Sequence, residues 1–163
     1  MKFTPVKTAI IGCGMISDTY LQNLTQIFSI IDVVGCADQV DEKAARQAEK
    51  YNIPKRTVAD ILADPEVELV LNLTYASSHY EVNRQVLEAG KNLYCEKMMA
   101  DTVPEARELV ALAHEKHLRF AVAPDTFLGG SMQTARQFVD AGIIGEPVMG
   151  VIRLARNYQM VKS

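Results

Sequence analysis

The chain has 163 residues, of which 48% are hydrophobic and 23% charged, and its formal net charge is −3. This is ordinary for a folded domain, and the lack of a basic block argues against nucleic-acid or anionic-membrane partners. No apolar run is long enough to span a bilayer, and the N-terminus lacks a signal-peptide core. The three cysteines are Cys13, Cys36 and Cys95. An odd count fits reduced, buried thiols in a cytoplasmic protein, and we expect no metal site.

The first predicted element is a buried strand over residues 9–11, which are apolar and rich in β-branched side chains. Apolar residues with helical spacing over residues 15–28 predict an amphipathic helix. Gly12 and Gly14 lie between them, in a G-x-G-x-x-G pattern whose third position is Ser17. Such a turn lets a pyrophosphate approach the backbone and the helix start. The candidate cofactor-binding residues here are Gly12, Cys13, Gly14, Met15 and Ile16.

A second strand, predicted over residues 33–37, is followed by Asp38, 21 residues past Ser17. A carboxylate at this place can accept hydrogen bonds from the adenosine ribose hydroxyls and would repel a 2′-phosphate. Gln39 follows, where an NADP site would more readily carry arginine. We therefore expect NAD rather than NADP. Taken alone, Asp38 would instead be interpreted as a turn residue at the end of a strand.

Helices and strands then alternate through the middle of the chain. A helix is predicted over residues 40–51 with Asp41 as its N-cap, followed by a weak strand at 56–58 and a short helix at 60–63. Later strands are predicted over residues 67–73, 92–95 and 119–123, and later helices over 78–89 (capped by Ser77 or Ser78), 104–117 and 131–141. This alternation predicts an α/β fold with a doubly wound parallel sheet, whose ligands bind beyond the carboxyl ends of the strands.

The end of the chain departs from this alternation. One more strand is predicted over residues 148–157, with no partner among the earlier strands. We expect a dinucleotide-binding domain over residues 1–123, a connecting loop and helix over 124–147, and the start of a truncated second α/β domain over 148–163. Asp125 and Thr126 follow the strand at 119–123, and they are candidates for contact with a substrate.

Several motifs, taken in this order, resemble the N-terminal part of the Gfo/Idh/MocA oxidoreductases, named for glucose–fructose oxidoreductase and inositol dehydrogenase. They are Ile11-Gly-Cys-Gly-Met-Ile16, Asp38, the loop 74–79, Ala89-Gly-Lys91, Glu96-Lys97 and Gly142-Ile-Ile-Gly-Glu-Pro147. The resemblance covers nearly the whole chain. It implies a Rossmann-like fold, a nicotinamide dinucleotide and a sugar, polyol or related hydroxyl substrate. It also implies a homo-oligomer whose second domain holds the substrate, so this chain alone should bind dinucleotide but turn over little.

The resemblance implies roles for individual residues. Thr74, Tyr75 and His79 would lie along the cofactor. Glu96 and Lys97 would lie at the nicotinamide, with Lys97 beside the reacting carbon. A lysine there can hydrogen-bond a hydroxyl or a carbonyl and so assist proton transfer as the hydride moves. His79 is equally compatible with a polar group that caps a helix.

Two positions depart from the family pattern, because Met98 and Tyr75 stand where the family often has proline. Met98 slightly favours a second hypothesis, a non-catalytic dinucleotide-binding sensor or scaffold module, whereas the retained Glu96 and Lys97 argue against it. A third hypothesis is a methyltransferase that binds S-adenosylmethionine. That class would carry a carboxylate shortly before the first glycine, and residues 9–11 offer none. Without the family pattern, Lys97 would be interpreted as a solvated surface lysine.

Overall fold

The computed structural model describes residues 4–123 and 126–153, apart from the side chain of Thr126. It divides into two compact units, Met1–Pro124 and Asp125–Ser163, and each is described by itself. The strands of the first unit are β1 (Val6–Ile11), β2 (Ile31–Ala37), β3 (Leu69–Asn72), β4 (Asn92–Cys95) and β5 (Phe120–Val122). Its helices are α1 (Ser17–Gln26), α2 (Asp41–Tyr51), α3 (Val58–Ala63), α4 (Ala76–Glu88) and α5 (Val103–Glu115).

The five strands form one parallel sheet in the order β2-β1-β3-β4-β5. The strand order reverses beside β1, because β2 lies on one side of it and β3 on the other. In doubly wound sheets, ligands bind in the crevice at this reversal, outside the carboxyl ends of the strands. The structure therefore confirms the predicted α/β fold. We expect the ligand site at the loops after β1, β2, β3 and β4.

Two apolar layers cover the sheet, one on each face. Adjacent residues of a strand point to opposite faces, so Ile10 and Ile11 enter different layers. The layer on the Ile11 side includes Ala9, Val70, Leu87, Leu93 and Leu109, and the layer on the Ile10 side includes Leu21, Cys36, Ala44 and Leu71. Burial on both faces explains why the strands appear in the sequence as short continuous apolar runs.

The strand predicted over residues 56–58 is wrong. Thr57 is instead the N-cap of α3, and its side chain and that of Asp60 form a capping box. The backbone leaves the sheet before this helix, after a single parallel bridge between Cys36 and Lys55 on the outer edge of β2. A β-branched pair of residues favours a strand in a local pattern, but the capping hydrogen bonds start a helix here.

Two predicted helix caps are also wrong. Val40 is the N-cap of α2, and Asp41 is the first helical residue, whose carboxylate pairs with Lys55 at 2.7 Å. Ser77 and Ser78 lie inside α4, which begins at Ala76 without a side-chain cap. The turn before α4 is held by a buried asparagine at the end of β3 instead, as described below.

The second unit contains a 3-10 turn (Thr126–Leu128) followed by α6 (Gly130–Asp140). The Gln133 side chain donates from Nε2 to the Phe127 carbonyl at 2.7 Å and ties the turn to the helix. Residues 148–153 form no strand, and the rest of the strand predicted over 148–157 lies outside the described residues. A strand needs a neighbour for its backbone N–H and C=O groups. None of the helices described here is long and apolar enough to cross a membrane.

Neighbouring residues of α5 test this placement of the core. Leu109 is fully buried, whereas Val110 is 53% exposed. We expect Leu109→Ala to lower the free energy of unfolding by about 2–5 kcal/mol, because it leaves a cavity. Val110→Ala should change it by no more than about 0.5 kcal/mol. Urea denaturation followed by circular dichroism measures both values, and equal losses would contradict the packing of α5.

Candidate functional site

The glycine turn after β1 has no room for a side chain at its first glycine. Gly12 has φ +103°, and a Cβ there would lie 2.5 Å from the Leu73 carbonyl carbon. Around Gly14 the situation is reversed, since a Cβ would meet nothing within 4 Å. Gly12 thus lets β1 and the chain after β3 approach each other, and Gly14 leaves open space beside the backbone for a ligand.

Helix α1 starts directly after this turn without a side-chain cap, since its N-cap is Ile16. The first amides of a helix and its positive dipole end favour an anion such as a pyrophosphate. Ser17 is buried and fills the third glycine position. Its Oγ donates to the Gly14 carbonyl at 2.6 Å and accepts from Gln47 Nε2 at 3.1 Å. A serine therefore closes the turn with hydrogen bonds where the pattern usually has glycine.

One carboxylate lies in the first turn of α1 and would oppose an anion there. Asp18 pairs with Lys50 at 2.8 Å across the gap to α2. The hydrogen bond from Lys50 holds the pKa of the Asp18 carboxyl below its usual value. The lysine therefore balances the acidic charge nearest the helix start.

Asp38 lies at the end of β2, beside the glycine turn. Its Oδ2 accepts from the Cys13 amide at 2.7 Å, and its Oδ1 accepts from the Val40 amide at 2.8 Å. These bonds fix the carboxylate at the edge of the sheet. Each carboxylate oxygen can accept a second hydrogen bond, so capacity for ribose hydroxyls remains. The structure thus brings together two features that the sequence separates by 25 residues.

The thiols near the site are buried. Contact with Cys36 and burial raise the pKa of the Cys13 thiol, which donates to the Ala37 carbonyl at 3.5 Å. Burial raises the pKa of Cys95 to about 12. Both groups are protonated at neutral pH, as expected for small buried residues. Any contact of Cys13 with a dinucleotide would go through its backbone.

A buried asparagine closes the loop after β3. Asn72 Oδ1 accepts from the Thr74 amide at 3.1 Å and from its hydroxyl at 2.7 Å. Asn72 Nδ2 donates to Asn83 Oδ1 at 2.8 Å. Tyr75 follows and is 65% exposed, with its ring centroid 5.8 Å from Lys43 Nζ. The loop is therefore held by side-chain amides at the point where the family pattern often has proline.

His79 connects the loops after β3 and β4. It is 1% exposed, and its Nε2 lies 3.0 Å from the Thr74 carbonyl while its Nδ1 lies 2.5 Å from the Met98 carbonyl. The ring contacts carbonyl groups rather than helix amides, so the interpretation as a helix cap is wrong. With both nitrogens facing the protein, the imidazole links two loops and presents almost no surface to a cofactor.

The loop after β4 carries Glu96 and Lys97. The Glu96 amide donates to the Asn72 carbonyl at 2.9 Å, and its Oε2 accepts from the Lys97 amide at 3.1 Å. The Lys97–Met98 peptide bond is cis. The Lys97 side chain is exposed, and within residues 4–123 and 126–153 it forms no salt bridge. A solvent-accessible ammonium thus stands at the same edge of the sheet as the glycine turn.

The predicted site residues therefore share the carboxyl edge of the sheet. The members in the described part are Gly12, Cys13, Gly14, Met15, Ile16, Asp38, Thr74, Tyr75, His79, Glu96 and Lys97. Asp125 and the side chain of Thr126, the candidates for substrate contact, lie outside the described residues.

The polar residues that support these loops are not among those predicted from the sequence. Asn72, Asn83 and Gln47 are fully buried. Tyr20 lies within residues 15–28, where the sequence pattern predicts only an amphipathic helix. A signal existed for Asn72, because it interrupts an apolar run at a strand end. Asn83 also follows His79 by one helical turn, on the same face of α4. No local signal could show the partner of Tyr20, which is 76 residues away.

The open space beside Gly14, the uncapped start of α1 and the fixed carboxylate of Asp38 define a dinucleotide-binding Rossmann domain. The chain belongs to the Gfo/Idh/MocA oxidoreductases, since the model of this family, described as "Oxidoreductase family, NAD-binding Rossmann fold", matches residues 6–123. This membership supports the dehydrogenase hypothesis and gives no support to a methyltransferase.

Individual proteins that resemble this chain agree with the family assignment. An oxidoreductase of Schizosaccharomyces pombe is 35% identical over 149 residues, covering 88% of this chain and 40% of the relative. Inositol 2-dehydrogenase/D-chiro-inositol 3-dehydrogenase of Lactiplantibacillus plantarum is 28% identical, covering 88% and 42%. The solved structure of KijD10, a 3-ketoreductase of Actinomadura kijaniata in complex with TDP-benzene and NADP, has a TM-score of 0.79 and 27% identity, covering 88% and 46%. The chain thus spans less than half the length of these relatives.

Alanine substitutions at the two glycines of the turn should have different effects, one on NADH binding and the other on stability. Gly14→Ala should leave the thermal unfolding midpoint nearly unchanged, because its Cβ meets open space, yet weaken NADH binding about tenfold or more by occupying that space. Gly12→Ala should lower the midpoint, because its Cβ collides with the backbone after β3 and φ is positive. Thermal denaturation and NADH titration check both variants. A Gly14→Ala variant that binds NADH normally would contradict this placement of the pyrophosphate.

Proposed function

We propose that this chain is the nucleotide-binding domain of an NAD(P)-dependent oxidoreductase that transfers hydride between a nicotinamide cofactor and a sugar, polyol or related hydroxyl compound. The observation that supports this proposal most directly is the exposed Lys97 side chain, which lies at the same edge of the sheet as the glycine turn and Asp38. The names of the relatives support the substrate class, since one acts on inositols and another is a 3-ketoreductase. This chain alone should bind dinucleotide and turn over little, because it spans less than half of their length.

We assign one role to the residues that follow each of the first four strands. The amides from Gly14 to Ile16 hold the pyrophosphate, and Asp38 accepts hydrogen bonds from the adenosine ribose. Thr74 lines the path between β1 and β4. The bound cofactor supplies the hydride donor or acceptor. Lys97 hydrogen-bonds the substrate oxygen: as the neutral amine it would accept the hydroxyl proton at Nζ during oxidation and become the ammonium, and as the ammonium it would return that proton to the carbonyl oxygen during reduction.

The cofactor preference follows from charge. Asp38 repels a 2′-phosphate, and Gln39 offers no positive charge to bind one, so we propose NAD over NADP.

The three buried thiols support a cytoplasmic location, and the net charge of −3 gives no basis for nucleic-acid binding. A homo-oligomer is supported by large apolar side chains exposed on the second unit, among them Phe127, Met132 and Phe138.

Removal of the Asp38 carboxylate tests the cofactor preference. We expect the wild-type chain to bind NADH more tightly than NADPH in calorimetric titrations. Asp38→Ala should weaken NADH binding about tenfold or more and abolish the preference, because both the hydrogen bonds to the ribose and the repulsion are lost. Asp41→Ala is the matched control, since it removes an exposed carboxylate three residues away. Tighter binding of NADPH by the wild type would contradict the role of Asp38.

Substitution of Lys97 distinguishes the dehydrogenase hypothesis from the hypothesis of a non-catalytic sensor. In the intact oxidoreductase that carries this domain, Lys97→Ala should lower kcat for a polyol by about 10²–10⁴, because proton transfer loses its catalyst. NADH affinity should change by less than about threefold. Lys116→Ala, which removes an exposed lysine elsewhere, should leave both values unchanged. Turnover is followed through NADH absorbance over a panel of inositols and sugars. Normal turnover in Lys97→Ala would contradict the catalytic role. A wild type that binds NADH but oxidises nothing in the panel would favour the sensor.

A further inference from the structure

Tyr20 lies on α1, one turn after Ser17, and points toward the loop after β4. Its ring is tilted by 59° against that of Tyr94, with the ring centroids 6.2 Å apart. Its hydroxyl donates to Glu96 Oε1 at 2.7 Å. The helix that starts at the glycine turn is therefore bonded directly to the residue preceding Lys97.

The Glu96 carboxylate has a protein partner on each oxygen. Oε1 accepts from Tyr20 and Oε2 accepts from the backbone amide of Lys97. The backbone of Glu96 is tied in turn to the Asn72 carbonyl of β3. A carboxylate held at both oxygens fixes the direction of the chain that follows it, which here is the backbone of Lys97.

We propose that Tyr20 is a positioning residue for Lys97: its hydroxyl orients the Glu96 carboxylate, which holds the Lys97 backbone in the geometry for hydride transfer. The inference rests on the proposed function and assigns to that site a residue on the pyrophosphate-binding helix. It also gives Glu96 a structural task in place of direct contact with the cofactor.

The charge state of Tyr20 is suited to this task. Burial and the neighbouring Glu96 raise the pKa of the tyrosine hydroxyl well above its usual value. The hydroxyl therefore remains protonated, and so a hydrogen-bond donor, across the pH range in which dehydrogenases are assayed. The interaction is charge-assisted, and such bonds are stronger than bonds between neutral groups.

The link has a specific consequence for the cofactor and the lysine. The start of α1 fixes the pyrophosphate, and Tyr20 connects the same helix to the Lys97 loop. Tyr20 thus gives the Lys97 loop a direct link to the pyrophosphate-binding helix, in addition to the links through β3 and α4. Loss of the hydroxyl should leave cofactor binding intact and misplace the lysine, and small displacements of reacting groups are costly for rate.

Tyr20→Phe tests the inference because it keeps the ring and removes only the hydroxyl. The matched control is Tyr51→Phe, whose hydroxyl donates to the Asp18 carbonyl of the same helix at 3.0 Å and does not contact Glu96. In the 163-residue chain, amide hydrogen exchange measured by NMR should be about fivefold faster at Lys97 in Tyr20→Phe and unchanged in Tyr51→Phe. Unchanged exchange at Lys97 in Tyr20→Phe would overturn the inference.

Kinetics of the intact oxidoreductase give the second readout. Tyr20→Phe should lower kcat about tenfold while the Kd for NADH stays within about twofold of the wild type. The double variant Tyr20→Phe/Glu96→Gln should be no slower than Glu96→Gln alone, because both changes break one path. Additive losses, or a loss confined to NADH affinity, would overturn the positioning role. If the wild type is inactive, the proposed function fails, and the exchange measurement still decides the contact of Tyr20 with the Lys97 loop.

Discussion

The close approach of two strands at Gly12 is the constraint on which the site depends. The Gly12 amide donates to the Ala37 carbonyl, and the Leu73 amide donates to the Ile11 carbonyl, each at 2.8 Å. These bonds join the ends of β1, β2 and β3, and a side chain at Gly12 would force the chain after β3 away. Because the three strand ends converge, the residues that follow them meet at one edge. The reversal of strand order beside β1 then opens a crevice there.

Buried amides and an imidazole hold the loops of the site. Asn83 Nδ2 donates to the Met99 carbonyl at 3.0 Å and to Cys95 Sγ at 3.2 Å, while its Oδ1 accepts from Asn72. His79 adds contacts to the carbonyls of Thr74 and Met98. Buried polar networks of this kind specify one arrangement, because an unpaired member would be costly. They explain how the loops after β3 and β4 keep their shape without the usual prolines.

Local patterns in the sequence predicted the fold and the first part of the site. Continuous apolar runs identified the buried strands, and the spacing from the glycine turn to Asp38 identified the nucleotide-binding edge. The weak strand at 56–58 was wrong, because Thr57 can start a helix as readily as it can extend a strand. The link between Tyr20 and Glu96 was not predictable, since it depends on a tertiary contact between distant segments.

We propose that one edge of the sheet holds a nicotinamide dinucleotide, with its pyrophosphate at the glycine turn and its nicotinamide near Lys97. The most direct test is NMR mapping of the 163-residue chain with NAD⁺ added stepwise. We expect the amide signals of Gly14, Ser17, Asp38, Thr74 and Lys97 to shift together with one binding constant. Shifts confined to other faces of the sheet, or shifts at the glycine turn without any at Lys97, would contradict it.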